Sequence, residues 1–170
     1  MNKNTQPHIM ILGVGNLLCR DEGVGIRVVE ALQERYSFPD HVTVKDGGTL
    51  GIHLLGTISH VDYLIVLDVI RNGGRPGTLY RIAGKEIPKR IYAKNSLHDV
   101  DLLEALTLCQ ALDNVPETVI LGVEPVDIES LSIELTPLIQ GKVDSLIDKV
   151  LEELESLGIR LKRRAKGKRS

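Results

Sequence analysis

Three side chains in this sequence have the types and spacing to do chemistry at one edge of a fold: Glu22, Asp68 and His98. Glu22 follows a short apolar run and a glycine-bearing loop that passes through Gly13-Val14-Gly15. Asp68 stands near the end of YLIVLDV, residues 63–69, a run otherwise apolar on both faces. A carboxylate placed there costs several kcal/mol if it is buried without a partner, so its position calls for a reason. His98 lies in Ser96-Leu97-His98-Asp99, at the opening of a helical pattern. Two carboxylates and one imidazole make a metal site with positions left for water or substrate, and this set suits zinc, nickel, manganese or iron. Two carboxylates at one site repel each other unless a cation lies between them. Each residue also has a structural reading. Glu22 can be a first-turn acid facing a helix dipole, worth ~0.3–1 kcal/mol, and His98 can simply precede a helix cap.

Other chemistry finds weaker support. Gly13-Val14-Gly15 resembles the start of a dinucleotide-binding G-x-G-x-x-G, but Leu18 occupies the third glycine position. Asp46-Gly47-Gly48-Thr49 has no phosphate-binding lysine beside it and reads as a turn or a loop at the rim of a cleft. No G-x-S-x-G elbow is present. Cys19 lies in the loop before Glu22, but nothing in the sequence pairs it with a base. The two cysteines, Cys19 and Cys109, form neither a CxxC pair nor a disulfide framework.

These residues need a scaffold, and 170 residues suffice for one domain. With 42% hydrophobic and 26% charged residues, the composition is that of an ordinary folded chain. No apolar run approaches the ~20 residues of a membrane span. The polar start, residues 1–8, is followed by too short an apolar run for a signal-peptide core, so a cytoplasmic protein without membrane insertion is expected. The net charge of −2 conceals an asymmetry: Arg160 to Arg169 holds seven basic residues and no acid, leaving fourteen basic against twenty-three acidic residues elsewhere. So acidic a body is not expected to bind nucleic acid. Residues 1–158 read as the domain and residues 159–170 as a solvated, disordered basic tail.

The hydropathy pattern gives the order β-α-β-α-β-β-α-β-α. Strands are expected at 8–14, 41–45, 63–69, 78–82 and 118–123, the fourth close enough to the third to pair with it antiparallel. Helices are expected from Glu22 to Tyr36 with Asp21 as N-cap, over 50–59, from Ser96 to about Leu112, and from Thr136-Pro137 to about Leu157. Residues 125–135 read as a loop. The result is a single α/β domain with a mostly parallel twisted sheet of about five strands and helices on both faces. Ligands of such sheets sit beyond the carboxyl ends of the strands, near the point where strand order reverses. If the first and third strands are neighbours, Glu22 and Asp68 meet there, and His98 can reach the same cleft.

Seven short motifs in order resemble a known family. They are Gly13-Val14-Gly15-Asn16-Leu17-Leu18 with Asp21-Glu22-Gly23-Val24-Gly25; Asp46-Gly47-Gly48-Thr49; Leu67-Asp68-Val69; Pro76-Gly77-Thr78; Ser96-Leu97-His98; Gly122-Val123-Glu124-Pro125; and Glu134-Leu135-Thr136-Pro137. Together, over residues 9 to about 157, they resemble the hydrogenase maturation endopeptidases. The resemblance implies an enzyme that removes a C-terminal peptide from the large-subunit precursor of a nickel–iron hydrogenase once nickel is in place. It implies that Glu22, Asp68 and His98 are both the catalytic and the metal-binding residues, that Asp46, Gly47, Gly48 and Thr49 form a substrate loop, and that the substrate supplies the nickel, with another divalent ion as an alternative. Many members carry Asp where this chain has Glu22, and the basic tail lies outside the pattern. The competing readings are a non-proteolytic docking factor for a metalloprotein and a Rossmann-like nucleotide-binding protein.

Overall fold

The continuous apolar runs of the sequence become the centre of a five-stranded sheet. The computed structural model describes residues 6–48, 58–84, 86–87 and 115–166. Its strands are β1 (Ile9–Val14), β2 (Tyr36–Ser37), β3 (Val42–Gly48), β4 (Tyr63–Val69), β5 (Leu79–Ala83), β6 (Glu117–Val123) and β7 (Lys162–Arg163). A 3-10 turn at Arg20–Gly23 leads into α1 (Val24–Arg35); α2 (Pro137–Gln140) and α3 (Val143–Ser156) come near the end. The main sheet has the order β3-β1-β4-β6-β5. β1 lies parallel between β3 and β4, and β6 lies parallel to β4. The chain thus runs from β1 outward to β3 and then returns to β4 on the other side of β1. The topological switch falls between β1 and β4, and that is where a ligand crevice is expected.

Side-chain alternation divides the core in two. Ile9 and Ile11 of β1 and Ile65 and Leu67 of β4 face a layer made by α1 and α3, with Val28, Leu32, Leu146 and Val150 fully or almost fully buried there. Met10, Leu12, Leu64 and Val66 face the other way, where Ile58, Val61 and Ile87 pack on them. The helices expected at 50–59 and from Ser96 to Leu112 fall largely or wholly outside the described residues. Among the described residues no helix is long and apolar enough to cross a membrane.

One glycine sets how closely α1 approaches the sheet. A Cβ on Gly25 would lie 2.1 Å from the Leu67 carbonyl oxygen and 2.8 Å from that of Val14. The helix-packing glycine that the G-x-G-x-x-G pattern lacks at position 18 is therefore supplied from inside α1, opposite the ends of β1 and β4.

Several expectations are corrected. The strand at 78–82 is observed as β5, but it pairs antiparallel with β6, because β6 takes the free edge of β4. Asp46, Gly47 and Gly48 belong to β3, whose register with β1 slips by one residue after Gly13↔Asp46. Asp21 makes no helix cap; it lies inside the 3-10 turn, and α1 begins only at Val24. The last helix is broken at Gly141-Lys142 into α2 and α3. Residues 159–164 lie on the body. Lys162–Arg163 pairs antiparallel with Tyr36–Ser37, and the Arg163 guanidinium stacks over the Tyr36 ring at 5.7 Å. Arg164 donates from its backbone N–H to the Arg35 carbonyl and from Nε to that of Tyr36. Ile159 and Leu161, half-buried against the core, anchor this end.

At the amino edge of the sheet α3 is tied down by a polar cluster. The buried Glu153 carboxylate accepts from the Tyr63 hydroxyl at 3.2 Å and from the Arg81 guanidinium. Burial, together with the adjacent carboxylate, raises the Tyr63 pKa above its ordinary value.

Candidate active site

The loop between β1 and α1 must turn sharply to place Glu22 above the sheet. Gly15 provides the turn: its φ is +137°, and a Cβ there would lie 1.9 Å from the Glu22 carbonyl oxygen, so no side chain fits. Arg20 follows with φ of +52°, an unusual backbone state for a residue with a side chain. Its neighbours hold it there. Arg20 N–H donates to the Ser132 carbonyl and Ser132 N–H donates to that of Leu18, both at 3.0 Å, so Cys19 and Ser132 form a short parallel bridge.

Asp21 is the centre of this construction. Its carboxylate is fully buried. Oδ2 accepts from the N–H groups of Val126 and Asp127 at 3.0 Å, and Oδ1 accepts from Thr136 N–H at 2.8 Å. The Thr136 hydroxyl lies 3.0 Å from Oδ1 and 2.9 Å from Oδ2. Asp21 N–H in turn donates to the Asp127 carbonyl. One carboxylate thereby joins the turn that carries Glu22 to both ends of the 126–136 loop.

Asp127 stiffens the start of that loop. Its Oδ1 accepts from the N–H groups of Glu129 and Ser130. The hydroxyl and N–H of Ser130, the Glu129 N–H and the nearby Arg20 charge hold its pKa down at about 2. A second buried carboxylate, Glu124 just beyond β6, does for β4 what Asp21 does for β1. Its Oε2 accepts from Asn72 N–H and the Tyr80 hydroxyl, each at 2.9 Å, and so fixes the turn that follows Asp68.

Asp68 is buried, and its Oδ1 accepts from Val69 N–H at 2.8 Å. By strand parity it shares the sheet face of Leu64 and Val66, opposite α1. Glu22 is half-buried in a turn that packs against β4. Gly25, three residues beyond Glu22, rests on the carbonyl of Leu67, the residue before Asp68. The two residues therefore stand at the carboxyl edge of the sheet, at the switch between β1 and β4. Asp46 lies near the end of β3 at the same edge, its Oδ1 accepting from Gly48 N–H at 2.8 Å, while Gly15 N–H donates to the Gly48 carbonyl. His98 and Thr49 lie outside the described residues. Among the described residues no three His, Cys, Asp or Glu side chains gather as metal ligands. Cys19 lies beside Glu22, and its thiol pKa is raised first by burial and then by that carboxylate, the opposite of what a thiolate nucleophile needs.

Sequence reasoning assigned no role at the site to Asp21 or Glu124. The available signal is an acid within each motif, Asp21 two residues before Gly23 and Glu124 directly before Pro125.

Comparison with known proteins identifies the family and the fold. Residues 26–153 match the sequence model of the family described as hydrogenase maturation protease. The chain is 38% identical over 162 residues to the hydrogenase expression/formation protein HupD of Thiocapsa roseopersicina, covering 94% of this chain and 73% of that one. It is 37% identical over 153 residues to the hydrogenase 2 maturation protease of Escherichia coli strain K12, covering 89% and 93% respectively. Its fold is similar to the solved hydrogenase maturating endopeptidase HybD from E. coli, with a TM-score of 0.88, 36% identity and coverage of 92% and 98%.

Proposed function

Since this chain belongs to the hydrogenase maturation protease family, and is accordingly an endopeptidase that processes the C-terminus of a hydrogenase, we propose that Glu22, Asp68 and His98 form its working site and that nickel in the substrate licenses the cut. The substrate in this reading is the large-subunit precursor of a nickel–iron hydrogenase, cleaved in the cytoplasm after its metal has been inserted. The single observation that carries the reading is the pairing of β1 with β4, which sets the Glu22 turn and Asp68 at one edge of the sheet.

The donor set is suited to this task. Two carboxylates and one imidazole offer three ligands and leave coordination positions to be filled by the partner. In this reading Glu22, Asp68 and His98 would hold the nickel that the substrate brings, and such an ion would supply Lewis-acid polarisation beside the bond to be cut. The chain's own residues provide the rest. Asp21 and Glu124 keep the Glu22 turn and the turn after Asp68 from relaxing as a large substrate docks. An ionised carboxylate within reach of the attacking water can accept its proton as the new C–O bond forms and pass it to the leaving amine as the C–N bond breaks. Glu22→Gln, Asp68→Asn and His98→Ala are expected to remain folded and to lose processing, read by intact mass of a purified large-subunit precursor. Near-normal processing by Asp68→Asn removes the assignment.

A further inference from the structure

The described surface has six exposed large apolar residues, and four of them, Leu18, Val126, Leu131 and Ile133, lie on segments bonded to the turn that carries Glu22. Leu131 is 85% exposed, Leu18 and Ile133 61% each, and Val126 50%. The backbone explains their grouping. Ser132 is hydrogen-bonded on one side to Leu18 and on the other to Arg20, so Leu131 and Ile133 flank the Leu18–Cys19 segment. Val126 N–H ends on Asp21 Oδ2.

This ridge is also held rigidly. Arg27 of α1 donates to the Ile133 carbonyl at 2.8 Å, the Ser132 hydroxyl oxygen accepts from Glu134 N–H at 3.1 Å, and Asp21 and Asp127 fix the rest of the loop. A protein gains no stability from holding leucine and isoleucine out in water on an ordered loop. A partner that covers them gains the burial free energy and loses little entropy in doing so, because the loop is already fixed.

We propose that the Leu18–Leu131–Ile133 ridge is the docking surface for the substrate polypeptide, contacting apolar side chains in the segment that flanks the bond to be cut. The occupant follows from continuity: Leu18 is four residues from Glu22 on a loop with no slack, so a chain laid across Glu22 also lies beside the ridge. The inference rests on the reading of the Glu22 edge as the place of cleavage. The ridge contributes to substrate binding and leaves the cleavage step unchanged.

The test is steady-state processing of purified large-subunit precursor by Leu131→Ser/Ile133→Ser, with Leu131→Met/Ile133→Leu as the conservative variant and Glu22→Gln alongside. The polar double variant is expected to raise KM by about tenfold or more, with kcat within about twofold of wild type. The conservative variant should restore KM, and melting temperature should not change. If the double variant proves unstable, Leu131→Ser alone, which removes no packing, is expected to give a smaller rise in the same direction. An unchanged KM overturns the proposal, as does loss of a wild-type dimer in the double variant with KM unaffected, which would make the ridge a contact between copies of this chain. Retained processing by Glu22→Gln instead overturns the placement of the cleavage site and is read separately from KM.

Discussion

Replacing Asp21 by Asn keeps the shape of a fully buried side chain and removes one of its two acceptor oxygens. If the amide nitrogen replaces Oδ2, the N–H groups of Val126 and Asp127 face a donor; if it replaces Oδ1, Thr136 N–H does. Hydrogen bonds to a charged group contribute about 1.5–3 kcal/mol each, and a buried donor left without an acceptor costs about as much. Loss of one to two such bonds gives about 2–5 kcal/mol. For a chain of this length that lowers the melting temperature by roughly 5–15 °C. The loop would be released from the Glu22 turn at the same time, and a displacement of about 1 Å at a reacting group costs on the order of a hundredfold in rate. Calorimetry and precursor-processing kinetics on Asp21→Asn should show both effects. Glu153→Gln is the control. It disturbs a buried carboxylate of similar importance at the opposite edge of the sheet, and it should lower the melting temperature while leaving processing intact well below that temperature. An Asp21→Asn protein that melts within about 2 °C of wild type and turns over normally would refute the role given to Asp21. Equal losses of turnover in both variants would reduce that role to general stability.

Three further outcomes follow from the same contacts. Truncation after Leu161 removes the pairing of β7 with β2, the stacking of Arg163 on Tyr36 and two hydrogen bonds from Arg164. It should destabilise by about 1–2 kcal/mol, checked by urea unfolding, and an unchanged midpoint would show that this end contributes nothing. Asp127 should titrate near pH 2 by carboxyl-carbon NMR. Because its folded pKa is depressed, its contribution is complete above the ordinary carboxylate value and is lost as pH falls from there toward about 2; titration near 4 contradicts the turn drawn for it. Gly25→Ala forces a methyl group against two backbone carbonyls, so α1 must lift off β1 and β4. A loss of about 3 kcal/mol or more is expected in thermal unfolding, whereas a protein of wild-type stability would mean that the helix is not seated as described.

The central strands were readable because burial on both faces leaves a continuous apolar run, as in residues 63–69, of strand length and bounded by turn residues. The neighbouring of β1 and β4 followed from the fold class. The partner of β5 was not readable, since short alternating strands pair with whichever edge the later chain leaves open, and β6 lies 34 residues farther on. At residues 159–163 charge hides the pattern: Ile159 and Leu161 alternate with basic residues, as in a strand, within a run of seven basic side chains. Glu22 and Asp68 stand out by position, one after a glycine-bearing loop and one near the end of an apolar strand. Asp21 reads as a cap because local sequence shows an acid before a helix and cannot show the N–H groups of residues 126, 127 and 136, more than a hundred positions away, that fold back onto it.

The measurement that bears most directly on the proposed mechanism is intact-mass analysis of one hydrogenase large-subunit precursor, prepared with and without nickel and incubated with protease stripped by chelator. The expected result is loss of the C-terminal peptide from the nickel-loaded precursor alone, with no metal restored to the protease. Equal cleavage of both precursors, or activity that returns only when zinc is added back to the protease, would contradict it.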